Sequence, residues 1–261
     1  MFFLRKTCII FLFILFNMSE TICSFSHFSL SKEEEKEDKN RYSIQYNSDY
    51  LYLLRSISFI LGDENCSIYN KRKITFTAKK VQTLEIYLME REKKTSKASL
   101  TYNSCLSLLY NLANQNSFLE KEKEKEKEKE KEKEKKYSIF CIRLKDILVV
   151  NDSSFIFVNP ENIGPVDASG QITFFSPFSR QGFCSPEILS VNSLPCKLGI
   201  ETFYYSLGAL VVFCISNVNV SETGSEIDLS GILKQIFGTK LYWTILRLLH
   251  VEPKKRIFLF V

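Results

Sequence analysis

Cys8, Cys23, Cys66, Cys105, Cys141, Cys184, Cys196 and Cys214 have the widest chemical range in this chain, because a thiol can be nucleophile, metal ligand or half of a disulfide. None of them forms a Cys-x-x-Cys pair, and His27 and His250 are the only histidines, so ligand sets at zinc-site separation are lacking. Several cysteines, such as Cys141 and Cys214, lie inside apolar runs, where a thiol packs as a small hydrophobe; disulfides are the other reading. Cys–His chemistry would have to use His27 or His250. His250 closes an amphipathic segment, where a cation suits the end of a helix dipole. A serine hydrolase would need G-x-S-x-G, and a phosphate-cradling loop would need G-x-G-x-x-G; neither occurs among the nine glycines. No catalytic, cofactor-binding or metal-binding residue is assigned, and no cofactor is expected.

Three segments carry more information through their order. Ser185-Pro186-Glu187-Ile188-Leu189, Tyr205-Ser206-Leu207-Gly208-Ala209-Leu210 and Glu252-Pro253-Lys254-Lys255-Arg256 follow one another along the second half. In order and spacing they resemble the activation-segment end, the core helix and the late helix-loop of a protein-kinase C-lobe. The resemblance covers roughly Tyr137 to Val261, and residue 185 is Ser where the family pattern has Ala. A kinase needs a catalytic-loop Asp beside the substrate hydroxyl and a DFG Asp on magnesium. Here the catalytic-loop stretch reads Arg143-Leu144-Lys145-Asp146-Ile147-Leu148, with no His-Arg-Asp, and Asn159-Pro160-Glu161 stands where Asp-Phe-Gly would. A Val-Ala-Ile-Lys strand is missing too, and Phe203 occupies the position of the Asp that braces the catalytic loop. Asp146 is the nearest approach to a displaced base, without the surrounding Arg and metal-binding Asn.

The chain therefore resembles the kinase non-catalytic C-lobe domain, KIND. That resemblance implies a mainly α (α+β), kinase C-lobe-like helical domain with a small β-hairpin. It also implies an ion pair between Glu187 and Arg256, with Pro186, Ser206 and Gly208 in structural roles. The function expected is non-catalytic protein–protein interaction linked to cytoskeleton or scaffold assembly, with another protein as partner. One alternative is a degenerate pseudokinase in which residues 46–99 form a rudimentary N-lobe; another is a secreted protein with a vestigial kinase-like lobe. A five-stranded sheet before residue 100 favours the pseudokinase, and a helix-only N-terminus favours KIND.

The rest of the sequence bounds these readings. A net charge of +5 spread over 261 residues, with no basic stripe interleaved with aromatics, gives no reason to expect nucleic acid. Residues 1–24 form an apolar leader behind Arg5-Lys6, with the architecture of a signal peptide and too short to span a bilayer. No integral membrane span is expected. Sequons at Asn17, Asn65, Asn151 and Asn219 are compatible with a secretory route, whereas KIND domains work in the cytosol.

Residues 25–45 read as a charged, disordered linker centred on Lys32 to Arg41, and 46–119 as the N-terminal helical part of the domain. Within it, Tyr50 to Leu61 predicts a helix stopped by Gly62-Asp63, and Ile74 to Ala78 alternates like a strand. Val81 to Arg91 and Leu100 to Leu112 predict two further helices. Residues 120–136 alternate Glu and Lys like a coiled-coil repeat, but no apolar residue docks them, and they read as a solvated insertion. In the core at 137–261, Ile147 to Val150 and Phe155 to Val158 flank the polar turn Asn151-Asp152-Ser153-Ser154, a β-hairpin. Asn159 to Ser169 reads as loop, Phe174, Phe175 and Phe178 as an aromatic cluster, and Phe203 to Ser216 as a buried helix. Leu229 to Phe237 and Leu241 to Leu249 predict two amphipathic helices.

Overall fold

The computed structural model describes residues 20–33, 40–95, 99–121, 135–221 and 228–258. Of the leader expected at 1–24, residues 1–19 lie outside the described residues and Glu20–Ser24 form a strand; of the insertion expected at 120–136, residues 122–134 lie outside them, while Glu120 and Lys121 end a helix and Lys136 begins a strand. The chain divides into two units, Met1–Val81 and Gln82–Val261.

The first unit is built on strands β1 (Glu20–Ser24), β2 (Phe28–Glu33), β3 (Asn40–Tyr46), β4 (Cys66–Tyr69) and β5 (Lys73–Ala78), with helix α1 (Leu51–Leu61) between β3 and β4. They form one antiparallel sheet in the order β1-β2-β3-β5-β4. Side chains on a strand alternate between the faces of its sheet, so every second residue of β2, β3 and β5 turns inward. Phe28 and Leu30, then Tyr42, Ile44 and Tyr46, then Ile74, Phe76 and Ala78 are all buried. The register stacks Leu30 on Ile44, Ile44 on Ile74 and Ile74 on Ile68, an aliphatic row crossing four strands. Helix α1 packs on β4 and β5 and buries Leu53, Leu54 and Ile57. It stops at Gly62, whose φ of 88° suits glycine, as expected. The next turn runs through Asn70 and Lys71, both left-handed, the form that matches strand twist.

This sheet corrects two expectations. Residues 25–45 are not a disordered linker: Lys32 and Glu33 end β2, Asn40 and Arg41 begin β3, and Glu33 faces Arg41 in the ladder. Only 34–39 of that charged run lies outside the described residues. Nor is 46–119 helical throughout, since β4, β5 and a further strand interrupt it.

The second unit opens on that strand, β6 (Val81–Thr83), which starts at the boundary and takes the first three residues of the helix expected at Val81; helix α2 (Leu84–Thr95) follows. Helix α3 (Tyr102–Lys121) extends the expected 100–112 segment and buries Cys105, Leu108, Leu109, Leu112 and Leu119. Strands β8 (Ile147–Val150) and β9 (Ser154–Phe157) make the expected hairpin through left-handed Asn151 and Asp152, in a sheet of order β6-β8-β9. A second sheet, order β12-β11-β10-β7, combines β7 (Lys136–Ile139), β10 (Ile163–Val166), β11 (Gln171–Phe174) and β12 (Cys196–Gly199). The stretch 159–169 is thus not all loop, because it holds β10. A Cβ at Gly164 would run into the side chain of Ile172, so that strand needs glycine where it meets β11. Helix α4 (Pro186–Leu189) is one turn, α5 (Glu201–Ser216) is buried nearly all round, and α7 (Lys240–Leu248) packs on it. Between them the helix expected over 229–237 breaks into α6 (Leu229–Ile232) and a 3-10 turn at Lys234–Ile236.

With twelve strands in three antiparallel sheets among the described residues, the fold is α+β rather than mainly α, and it carries far more than one small hairpin. The core of the second unit joins both element types. Helix α3 packs against α5, β7 and β9. Buried Gln115 on α3 receives the Phe157 N–H at 2.7 Å and donates to the Phe157 carbonyl at 2.9 Å, pairing both backbone groups of a β9 residue. Asn116, one residue on, accepts from the Ile139 N–H at 2.8 Å. A buried backbone polar group without a partner costs about 1–3 kcal/mol, so these two amides fix the helix on the strands. No helix among the described residues is long and apolar enough to cross a membrane.

Candidate functional site

Two clusters of charged groups occupy the second unit, both in the segments singled out in the sequence. The first lies between β7 and β10. A short 3-10 turn at Leu144–Asp146 brings Asp146 back toward Arg143, whose Nε and Nη2 donate to the two carboxylate oxygens at 2.7 and 2.9 Å. Asn162 Nδ2 donates to Oδ2 at 3.1 Å, and the Val158 N–H donates to the Asp146 carbonyl at 2.9 Å. Asp146 is 2% exposed. Glu161 stands at the edge, 3.9 Å from Arg143. Burial disfavours the guanidinium charge, but Asp146 and Glu161 outweigh it and hold the Arg143 pKa above its ordinary value. A general base must present a free lone pair to the proton it takes. Both oxygens of Asp146 are committed to charged or amide donors, so it ties the turn to β9 and to the loop before β10. The argument for Asp146 as a displaced base finds no support in this geometry.

Asn159, where the kinase resemblance would put the DFG Asp, is also buried. Its Oδ1 accepts from the Glu161 N–H at 3.1 Å and caps the 3-10 turn Pro160–Asn162, while its Nδ2 has no hydrogen-bond partner. A neutral amide at this position cannot supply the carboxylate that holds magnesium in a kinase. In the first unit, strand β3 contains no lysine, and α1 contains neither Asp nor Glu.

The second cluster joins α4 to the end of the chain. Ser185 and Pro186 start α4: the Ser185 hydroxyl accepts from the Ile188 N–H, and proline suits the first helical position because its missing N–H would have no intrahelical partner. The turn presents Glu187, whose two oxygens meet Arg256 Nη2 at 2.6 Å and Nη1 at 3.0 Å, a bidentate fork. The Arg256 side chain is fully buried and that of Glu187 is 26% exposed. Arg256 also donates from Nε to the His250 carbonyl at 2.7 Å and from Nη2 to the Val251 carbonyl at 3.1 Å. Its guanidinium carbon sits 5.0 Å from the centre of the Tyr205 ring, a cation–π contact that links the pair to α5. Burial pushes the Glu187 pKa up, but hydrogen bonds from Arg256 and Ser185 more than offset it and hold the carboxyl below its ordinary value.

Ser206 and Gly208 do their work on α5. Ser206 is fully buried and its hydroxyl donates to the Thr202 carbonyl at 3.0 Å and lies 3.3 Å from the Phe140 carbonyl, between helix and strand end. A Cβ at Gly208 would stand 2.9 Å from Leu248 Cβ and 3.2 Å from Leu249, so glycine sets the distance of closest approach between α5 and α7. Phe203, where the kinase resemblance would put the bracing Asp, is fully buried in the core. Of the aromatic cluster, Phe174 and Phe178 meet Phe140 edge-on with ring centres 4.9 and 5.8 Å away and lie 4.2 Å from each other, while Phe175 is 78% exposed and outside it.

Of the five residues marked in the sequence as structural, Glu187, Arg256, Ser206 and Gly208 lie in packed contacts of one unit, while Pro186 starts its helix from an exposed position. What the sequence reading missed is the Arg143–Asp146–Asn162 brace and the Gln115 clamp. Arg143 and Asp146 are three residues apart, a spacing that permits an ion pair across a single turn. Nothing local marks Asn162 or Gln115. Among the described residues no group of three or more His, Cys, Asp or Glu side chains is placed to hold a metal ion. No family model matches the chain, and no curated protein matches it.

Proposed function

We propose that this chain is a catalytically silent, kinase-like protein of pseudokinase type that acts by binding another protein. The observation that carries the reading is the first unit. Five antiparallel strands with one helix between the third and fourth are what separates a kinase with an N-lobe from a KIND domain, which has only the C-lobe. The second unit supports it through the Glu187–Arg256 fork, which joins the Ser-Pro-Glu turn to the late loop as the kinase resemblance implies. Silence follows from residue identity at each catalytic position. Asn159 replaces the magnesium-holding acid, Asp146 is tied up by Arg143, and β3 offers no lysine to a phosphate. Phosphoryl transfer is almost entirely positioning and charge neutralisation by those groups, so losing them together leaves little chemistry to rescue. What such a scaffold retains is surface, and a protein partner is the use we assign to it.

Two measurements on the full chain test this. Isothermal calorimetry with Mg-ATP should give no magnesium-dependent binding heat, and radiolabelled ATP should label neither the chain nor a generic protein substrate. Transfer that disappears in Asp146→Asn would overturn the silent reading. Quantitative proximity labelling in cells should enrich a reproducible partner set with the wild type and lose it with the destabilised Arg256→Ala variant. Equal enrichment by both proteins would remove the interaction reading.

A further inference from the structure

The geometry points to Cys141 and Cys184 as a disulfide pair that staples the end of β7 to the turn carrying Glu187. Three observations bring them together. Ile142 and Phe183 form an isolated antiparallel bridge, with the Phe183 N–H donating to the Ile142 carbonyl at 2.8 Å. In an antiparallel ladder the pair flanking a hydrogen-bonded pair is the close, non-hydrogen-bonded kind, with Cα atoms about 4.5 Å apart. Cys141 and Cys184 are that flanking pair, and a disulfide bridges Cα atoms roughly 4.4–6.8 Å apart. Their sulfurs are in contact at 2.8 Å, so the two side chains already point at each other. The pair also sits within an apolar cluster with Phe140, Ile172, Phe174 and Ile188, where two thiols have few polar partners beyond the Gln181 carbonyl.

The thiolate of one cysteine displaces one glutathione thiolate from glutathione disulfide and forms a mixed disulfide. The other cysteine then gives up its proton, attacks the sulfur of the first and expels the second glutathione thiolate. Two cysteine thiols lose two electrons and two protons, and glutathione disulfide takes them up as two glutathione thiols. Both cysteines are fully buried once folded, so exchange takes place during folding.

The bond would close a loop of 43 residues that contains Asp146, Asn159, the β8–β9 hairpin and strands β10 and β11. Cross-linking a loop of that length restricts the unfolded chain most, and the expected gain in melting temperature is about 10 °C for a unit of this size. The staple is independent of whether the fold descends from a kinase.

The test uses the full chain, unfolded and refolded in a buffer of reduced and oxidised glutathione, then alkylated with iodoacetamide and digested without reduction. Mass mapping should recover one cross-linked species joining the peptides of Cys141 and Cys184. Dithiothreitol should lower the wild-type melting temperature by about 10 °C and leave Cys141→Ala/Cys184→Ala unmoved. Recovery of both cysteines as alkylated thiols, or paired to other cysteines, overturns the assignment, as does an equal dithiothreitol shift in wild type and variant. If the variant fails to fold, the wild-type peptide map decides alone.

Discussion

Removing either partner of the Glu187–Arg256 fork should destabilise the second unit, and the two removals should not be equal. Breaking a buried ion pair from one side costs about 3–5 kcal/mol, because the other charge stays behind without its partner. Glu187→Ala leaves the Arg256 guanidinium fully buried, but two backbone carbonyls and the Tyr205 ring still receive it. Its cost belongs at the low end, about 3 kcal/mol, or roughly 6–12 °C in melting temperature for a unit of this size. Arg256→Ala removes four hydrogen bonds at once and orphans the His250 and Val251 carbonyls, while the freed Glu187 can hydrate through its exposed quarter. Arginine loss should therefore be the larger effect, toward 5 kcal/mol. The double variant should cost less than the sum, since both removals delete the same contact. Acid supplies an independent check. The Glu187 pKa is lower folded than unfolded, so its contribution is complete above the unfolded value, about 4.3, and disappears as pH falls through the folded value. The stability gap between wild type and Glu187→Gln should hold from pH 7 to about pH 5 and narrow below about pH 4. Urea melts of the five proteins at each pH would measure it. Strict additivity in the double variant, or a gap that stays constant to pH 3, would refute the reasoning.

Asp146→Ala should lower stability by about 3 kcal/mol in urea denaturation, because Arg143 is left with a carboxylate only at 3.9 Å; a folded, equally stable variant would show that Asp146 is not a brace. Gly208→Ala should cost about 1–3 kcal/mol by forcing α5 away from Leu248, and a melting temperature at or above wild type would contradict the close packing read here. Exchanging residues 122–134 for a Gly/Ser linker of equal length should change stability by about 1 kcal/mol or less, since loop closure depends only weakly on length and α3 is anchored by Leu119 before the tract. Loss of the circular dichroism signal on that exchange would mean that the tract takes part in folding.

Much of the local structure was legible in the sequence because it rests on short-range physics. Gly62 ends α1 where a positive φ is needed, Asn151-Asp152 turns the β8–β9 hairpin, and apolar spacing marks α5 and α7. The order of Ser-Pro-Glu, Tyr-Ser-Leu-Gly and the late Arg suggested a contact between Glu187 and Arg256, residues 69 apart that meet in the fold. The charge run Lys32 to Arg41 hid two strands whose alternation, Phe28 and Leu30 against Tyr42, Ile44 and Tyr46, was present on either side. The run's strand ends are half-buried or exposed ladder positions, where charge is tolerated, and composition averaged across them looked like linker.

Only the tertiary structure decided the rest, and the reason is the same in each case. Strands β7, β10, β11 and β12 have four residues each, too few to show a period, and β10 contains Gly164 and Pro165, which propensity assigns to loops. They become strands because β7 finds β10 across more than twenty residues, and β11 finds β12 beyond the Ser-Pro-Glu turn. Asp146 reads as a spare acid until Asn162 and Val158 close on it, and Cys141 and Cys184 read as separate hydrophobes until one backbone bridge faces them. Residue identity determined which groups are missing from the positions that the kinase resemblance marks. Long-range pairing determined what the remaining groups hold together, because hydrogen bonds and buried charges are satisfied by neighbours in space that a local sequence pattern does not specify.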